Sequence, residues 1–207
     1  MDWQNILESR HQCFVFEENK PDIGVIQRIV DDLHTKCPSK QNRVVYNLHI
    51  FDWSNKELRM DIYKGTERDP ENHPGVYNPQ TLAPYLFVWS PRQIEQQKNI
   101  HAEGILNPEY NDEITFNQQV HMEVGISSMF VVLSAINRGL SAGFCKCIHN
   151  HEELKHKYGF TPTLYLGVGY KKDSIKYFCP VNQREWPAPL NTWYPKPAVD
   201  QYVRYSV

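Results

Sequence analysis

Residues 111–148 constrain this chain more than any other stretch. They read NDEITFNQQVHMEVGISSMFVVLSAINRGLSAGFCKCI. The pattern predicts one long helix from about Glu113 to Arg138, stopped by Gly139 and followed by a short extended run. Apolar side chains occupy most of its circumference: Val124, Ile126, Met129, Phe130, Val131, Val132, Leu133, Ala135 and Ile136. A helix that is apolar nearly all round is buried, in a core or against a partner. His121, Glu123, Ser127, Ser128, Asn137 and Arg138 break the apolar run, which therefore falls short of a membrane span. Gly125, Ser127, Ser128, Ser134 and Ala135 are small enough for another helix to approach closely. Pattern alone leaves two arrangements open: a central core helix, or a helix packed on its symmetry mate across a dimer axis.

The rest of the chain supplies elements for such a helix to pack on. Asp2 is a plausible N-cap for a short helix Trp3–Ser9, and Cys13–Phe16 reads as extended. Asp22 caps a helix over Ile23–Lys36 with a 3.6-residue apolar stripe, ended by Cys37-Pro38. Arg43–Asp52 alternates and carries β-formers, so it is a strand. Ser54 is positioned to cap a helix from Asn55 to Tyr63. Residues 64–80 read as a long loop and Pro84–Ser90 as a buried strand. A polar connection, 91–112, leads to the long helix. Asn150 is positioned to cap a helix through Lys157 that ends at Gly159, and Pro162–Tyr170 is a third buried strand. The tail is rich in Pro and aromatic residues, and an arm of that kind needs a surface to lie on. The expectation is one α+β domain over residues 1–207, a central sheet flanked by helices, with an extended arm from about residue 180.

Composition narrows the function. At 207 residues the chain can bury a substantial core. A net charge of −2 without a basic block leaves no electrostatic footprint for nucleic acid. The N-terminus has no apolar stretch long enough for a signal peptide. Five cysteines, with no spacing that implies a bridge framework, point to a soluble, reducing, cytoplasmic setting. Cys145, Cys147, His149 and His151 invite a metal reading, but they alternate along one extended run rather than forming two separated pairs, so no metal site is predicted. No GxSxG, GxGxxG or P-loop occurs. Gly167-Val168-Gly169 at a strand end reads as tight packing. What remains is a scattered set: Ser9-Arg10-His11 before the first extended segment, Pro38-Ser39-Lys40-Gln41-Asn42 before a strand, Asn78 in a loop, and Arg184 in the tail.

The order of these segments resembles the nitroreductase family of FMN flavoproteins. The family's Arg-x-Ser-x-(Arg/Lys)-x-Phe segment has its equivalent in Arg10-His11-Gln12-Cys13-Phe14-Val15-Phe16. Its (Ala/Ser)-Pro-Ser-x-x-Asn is similar to Cys37-Pro38-Ser39-Lys40-Gln41-Asn42. Its central-helix ending is similar to Leu133 through Phe144, and its closing Gly-Tyr strand to Leu166-Gly167-Val168-Gly169-Tyr170. The resemblance implies a three-layer α+β sandwich, dimeric through the long helix, with the C-terminal arm exchanged onto the partner subunit. It implies FMN in two clefts at the subunit interface and NAD(P)H as electron donor. By the same resemblance Arg10, His11 and Gln12 contact the phosphate, ribityl chain or ring edge, and Asn78 the isoalloxazine. Lys146 and Cys147 approach N5 and the pyrimidine side through their backbone, and Arg184 supplies a phosphate-binding cation. Pro38, Ser39, Lys40 and Asn42 come from the other subunit. Gln12 departs from the family's Ser, Phe14 from a cation, and Asn182 from a second tail cation. The implied activity is hydride transfer from NAD(P)H through flavin to a flat nitroaromatic or quinone-like acceptor, by a ping-pong cycle in which the cofactor carries the chemistry. The alternative is a flavin-binding or non-enzymatic interaction protein that keeps the fold without turnover.

Overall fold

The computed structural model describes residues 2–39, 44–67, 75, 77–92, 113–172, 177–179 and 184–186, the last two stretches as backbone only. Helix α1 spans Trp3–Ser9 and α2 spans Ile23–Lys36. Both begin where the sequence places a carboxylate. Asp2 accepts the N–H of Asn5, and Asp22 that of Gly24, satisfying donors that a helix start leaves unpaired. Strand β1 is Tyr46–Phe51, and α3 is Lys56–Lys64 after a 3-10 turn, Trp53–Asn55. Ser54 is not the cap there. Asp52 caps the 3-10 turn, its carboxylate receiving both the N–H and the hydroxyl of Ser54, and Asn55 at the start of α3 makes no side-chain cap. A second 3-10 turn, Pro79–Leu82, leads into β2, Tyr85–Pro91. The long helix α4 is Glu113–Asn137, followed by β3, Ser141–Cys145. Helix α5, His151–Tyr158, ends on Gly159 with φ 76°, a left-handed cap that glycine adopts without strain. Asn150 precedes α5 but does not cap it; its Nδ2 donates to the Asp61 carbonyl at 3.1 Å, tying α5 to the end of α3. Strand β4 is Leu164–Gly169, and Tyr177–Cys179 (β5) pairs with Arg184–Trp186 (β6).

The main sheet has the order β1-β2-β4-β3 and is antiparallel throughout. Central strand β2 explains why its sequence is continuously apolar. Tyr85, Phe87 and Trp89 face a core shared with α1, α2 and α4, while Leu86 and Val88 face one shared with α3 and α5. The result is a three-layer sandwich. Each of these large side chains contributes about 1.5–3 kcal/mol by leaving water. Helix α4 is long and apolar enough to cross a membrane by length and composition over Phe116–Asn137, yet 61% of that window is buried within the fold.

Arg59 of α3 is fully buried and holds the layers at one corner. Its Nη1 donates to the Phe51 carbonyl at 2.9 Å, and its Nη2 to the carbonyls of Thr81 and Ala83, both at 2.6 Å. The guanidinium stacks 4.5 Å from the Trp53 ring centroid. Burial pulls its pKa down to about 10, with Asp52 opposing the shift. Truncation would leave three carbonyls without their donor. Arg59→Ala should therefore cost about 3 kcal/mol or more in urea unfolding; a loss below about 1 kcal/mol would show the corner to be held by packing alone.

Candidate functional site

Two side-chain amides converge on the backbone of Phe144 in β3. Gln12 Nε2 donates to the Phe144 carbonyl at 2.6 Å, and the Phe144 N–H donates back to Gln12 Oε1 at 3.1 Å. Gln80 Nε2 donates to the same carbonyl at 3.2 Å. The Cys13 N–H donates to the Ala142 carbonyl at 3.0 Å, so residues 12–13 run antiparallel to β3 along its outer edge. This approach demands glycine. A Cβ on Gly143 would stand 1.8 Å from the Cys13 carbonyl oxygen, and one on Gly167 would stand 2.1 Å from that of Gln80. The Gly167-Val168-Gly169 run is thus tight packing, as its sequence suggested.

The antiparallel course directs Arg10 and His11 toward the end of β3, from which Lys146 and Cys147 leave. Arg10 and Lys146 are exposed, and neither side chain makes an ion pair or hydrogen bond with another described residue. His11 is exposed, its Nδ1 2.8 Å from the Ser9 carbonyl oxygen. Ala142 and Phe144 use their backbone groups on the outer side of β3. Backbone groups alternate along a strand, so the Lys146 N–H faces that side too, with no partner among the described residues. Asn78 lies just before the Pro79–Leu82 turn that carries Gln80. Its Nδ2 donates to the Thr66 carbonyl at 3.1 Å and its N–H to Thr66 Oγ1 at 3.0 Å. Of the residues singled out in the sequence, Gln12 touches β3 at Phe144, two residues before Lys146, and Asn78 precedes the turn whose Gln80 reaches the same carbonyl. Phe14, where the resemblance expects a cation, instead lines an apolar cleft of about 320 Å3 with Phe16, Trp53, Pro79, Leu82 and Pro84.

Pro38 and Ser39 lie elsewhere, where α2 ends near the start of β1. Ser39 Oγ donates to Glu123 Oε2 at 3.3 Å and accepts the Val44 N–H at 3.0 Å. The Val45 N–H reaches the same carboxylate oxygen at 3.3 Å, and Gln119 Nε2 reaches the other at 3.2 Å. Val44 has φ +48°, a left-handed conformation that a β-branched residue rarely adopts and that costs about 1–3 kcal/mol. It persists because Ser39 holds its N–H and Arg92 Nη1 holds its carbonyl at 3.1 Å. Lys40 and Asn42 fall outside the described residues, as does the side chain of Arg184, whose backbone pairs with Cys179 in the β5–β6 hairpin.

No protein-family model and no curated protein matches the chain. Solved structures do. A candidate NAD(P)H:FMN oxidoreductase from Staphylococcus epidermidis is 13% identical, with 99% of this chain and 96% of that one covered, at TM-score 0.70. A nitroreductase-like protein from Streptococcus mutans is 16% identical, with 100% and 98% covered, at TM-score 0.69. A nitroreductase family protein from Clostridium novyi is 18% identical, with 84% and 87% covered, at TM-score 0.61. The chain has the nitroreductase fold. Similarity at this identity is carried by backbone course rather than by shared side chains. The nitroreductase fold therefore accommodates the Gln12 amide on β3 and Phe14 in an apolar cleft.

Gln80 and Glu123 were not singled out by the sequence. The signals were indirect: glycines in β3 and β4, which mark a close backbone approach, and a lone carboxylate in an apolar helix, which marks a buried partner. Among the described residues no cluster of His, Cys, Asp and Glu could hold a metal ion. Burial pushes the Cys13 thiol up to about 11 and the Cys145 thiol up to about 12, which keeps both protonated and unreactive. Brief iodoacetamide treatment of the folded protein at pH 8 should leave peptides containing Cys13 and Cys145 unmodified by mass spectrometry. Labelling at the rate of the urea-unfolded chain would contradict this.

Proposed function

We propose that the protein is an FMN-dependent oxidoreductase that works as a homodimer, taking electrons from NAD(P)H and delivering them to a flat acceptor of the nitroaromatic or quinone class. The observation that supports this reading is the fold shared with nitroreductases, on which Gln12 is fixed to β3 and Ser39, separately, to α4. One half-site would draw on Arg10, His11, Gln12, Asn78, Lys146 and Cys147 around the end of β3. The other, Pro38-Ser39, is anchored to α4. A two-fold copy would supply the second half to the first.

The residues present suit the cofactor. Arg10 and Lys146 have no carboxylate among the described residues, and cations of that kind would hold a phosphate by charge-assisted hydrogen bonds. Arg184, in β6, would join them, as would Lys40 and Asn42 from the partner. The outward Lys146 N–H is a fixed donor for a heteroaromatic ring edge. FMN, when bound, supplies the hydride chemistry in two half-reactions, with NAD(P)H and acceptor taking turns. The chain's own work is to hold the phosphate, fix the ring edge through backbone at residues 146–147, and exclude water by dimerising.

The exposed face of α4 supports the dimer. Met122 is 52% exposed, Ile126 41% and Met129 37%, with exposed Gly125 between them, on a helix whose opposite side is packed in the core. A contiguous apolar stripe of this kind marks an interface. The edge of β1, which pairs with no further strand among the described residues, and the groove of about 410 Å3 between it and α2 would receive the partner's aromatic C-terminal arm.

Purified protein should be yellow, or become so with FMN, and should oxidise NAD(P)H when a quinone is added. Arg10→Ala should weaken FMN binding roughly tenfold or more, the effect of one lost charge-assisted hydrogen bond. Protein that stays colourless after incubation with FMN and dialysis would contradict the reading. Bound FMN without turnover would favour a flavin-binding protein that is not an enzyme.

A further inference from the structure

We infer that Cys145 and Cys147 form a dithiol centre that exchanges with small disulfides, Cys147 attacking and Cys145 resolving. The inference goes beyond the FMN reading and does not rest on it. Strand β3 ends at Cys145, and residues two apart along extended chain face the same side. Cys145 Sγ comes within 4.0 Å of the Cys147 carbonyl oxygen, so the chain curls at Lys146. Two residues of fully extended chain span at most about 7 Å, and the curl shortens this toward the roughly 4.4–6.8 Å between Cα atoms that a disulfide bridges. Cys145 is buried among Leu58, Ile62, Leu154 and Tyr165, and half-buried Cys147 packs on the same cluster. Both thiols are free. The segment is held on both sides, Phe144 by Gln12 and Gln80, and His149 by its N–H to the Gly65 carbonyl at 2.9 Å.

Access divides the roles. Cys147 reaches the surface. Burial pushes the Cys145 thiol up to about 12, the Cys147 carbonyl opposes that shift, and the Cys147 thiol adds to it. Cys145 is thus closed to an external reagent, but a sulfur tethered two residues away is presented to it at high effective concentration. Tyr165 stands directly across from Cys145 in the β3–β4 pair, fully buried, its hydroxyl without a partner among the described residues. Burial raises that hydroxyl, and Cys145 adds to the shift. The thiolate that Cys145 forms on resolving would give the orphaned donor an acceptor. Exposed Lys146, between the two cysteines, makes no ion pair among the described residues and favours a disulfide that carries carboxylates.

The steps balance. The Cys147 thiolate attacks one sulfur of the small disulfide, whose S–S bond breaks; the departing thiolate takes up the proton Cys147 has lost. Cys145 then loses its proton and attacks the Cys147 sulfur, and the second small thiolate leaves and takes that proton. One disulfide is reduced to two thiols, and two protein thiols are oxidised to one bridge.

The test equilibrates the reduced wild-type chain in mixtures of reduced and oxidised glutathione, blocks free thiols in denaturant and digests without reduction. Trypsin cuts after Arg138, Lys146 and Lys155, so the bridge joins residues 139–146 to 147–155. These linked peptides should appear as oxidised glutathione rises and vanish with dithiothreitol. Cys145→Ala should retain glutathione on Cys147 at least about tenfold more than wild type does. Cys147→Ser should acquire none on Cys145 in the same time. Lys146→Gln should form the bridge about threefold more slowly or worse, read as the loss of two blocked thiols from residues 139–155. The wild-type digest needs no variant to fold. Absence of the linked pair in every mixture, or residues 147–155 joined only to a second copy of themselves, would overturn the inference. Glutathione on Cys145 of Cys147→Ser as fast as on Cys147 of Cys145→Ala would overturn the assigned roles. An unchanged rate in Lys146→Gln would overturn the preference for carboxylates.

Discussion

The Phe144 carbonyl accepts hydrogen bonds from two side-chain amides, Gln12 from the N-terminal segment and Gln80 from the turn before β2. Everything proposed for the site depends on that junction. It fixes the N-terminal segment along the outer edge of β3, so Arg10 and His11 run toward Lys146. It also fixes the Pro79–Leu82 turn over β4, with Asn78 at its start. The junction works only because Gly143 and Gly167 leave room for backbone at distances no side chain would tolerate. Arg59 secures the same turn from beneath through the Thr81 and Ala83 carbonyls. The candidate site is thus a backbone construction: sheet, turn and N-terminal segment set its shape, and exposed cations decorate its mouth.

That architecture explains how Gln12 and Phe14 can depart from the pattern of nitroreductases. A serine at position 12 could not span to Phe144 with both an acceptor and a donor; the longer amide does both and seals the strand edge. Phe14 removes a cation from the phosphate side and lines an apolar cleft instead. In the proposed site the binding of a dianion would then fall to Arg10, Lys146 and the cations proposed for the C-terminal arm and partner loop.

Much of the fold was legible in the sequence because local signals agreed with packing. Asp2, Asp22 and Gly159 cap their helices as read, and the unbroken apolar run of β2 is buried on both faces. The misreadings were local competitions. Ser54 does not cap α3 because its N–H and hydroxyl are both taken by the Asp52 carboxylate, which caps the 3-10 turn before it. Asn150 turned its amide to Asp61 on a helix remote in sequence. The site was legible only in outline. Gln12 meets β3 at Phe144, but Gln80 and Glu123 act through contacts 64 and 78 residues away in sequence, and no local pattern reports those.

The account's central claim is that each cofactor site is built from two chains, and mixing subunits tests it most directly. Arg10→Glu and Ser39→Glu, each placing a carboxylate against the phosphate or ring, would each damage a different half-site. With each variant failing to bind FMN alone, mixed and reassorted protomers should form heterodimers in which one site combines the intact halves. FMN binding should then return to about a quarter of all sites, the share statistical reassortment predicts. If mixing restores no binding although heterodimers form, both halves belong to the same chain and the account is wrong.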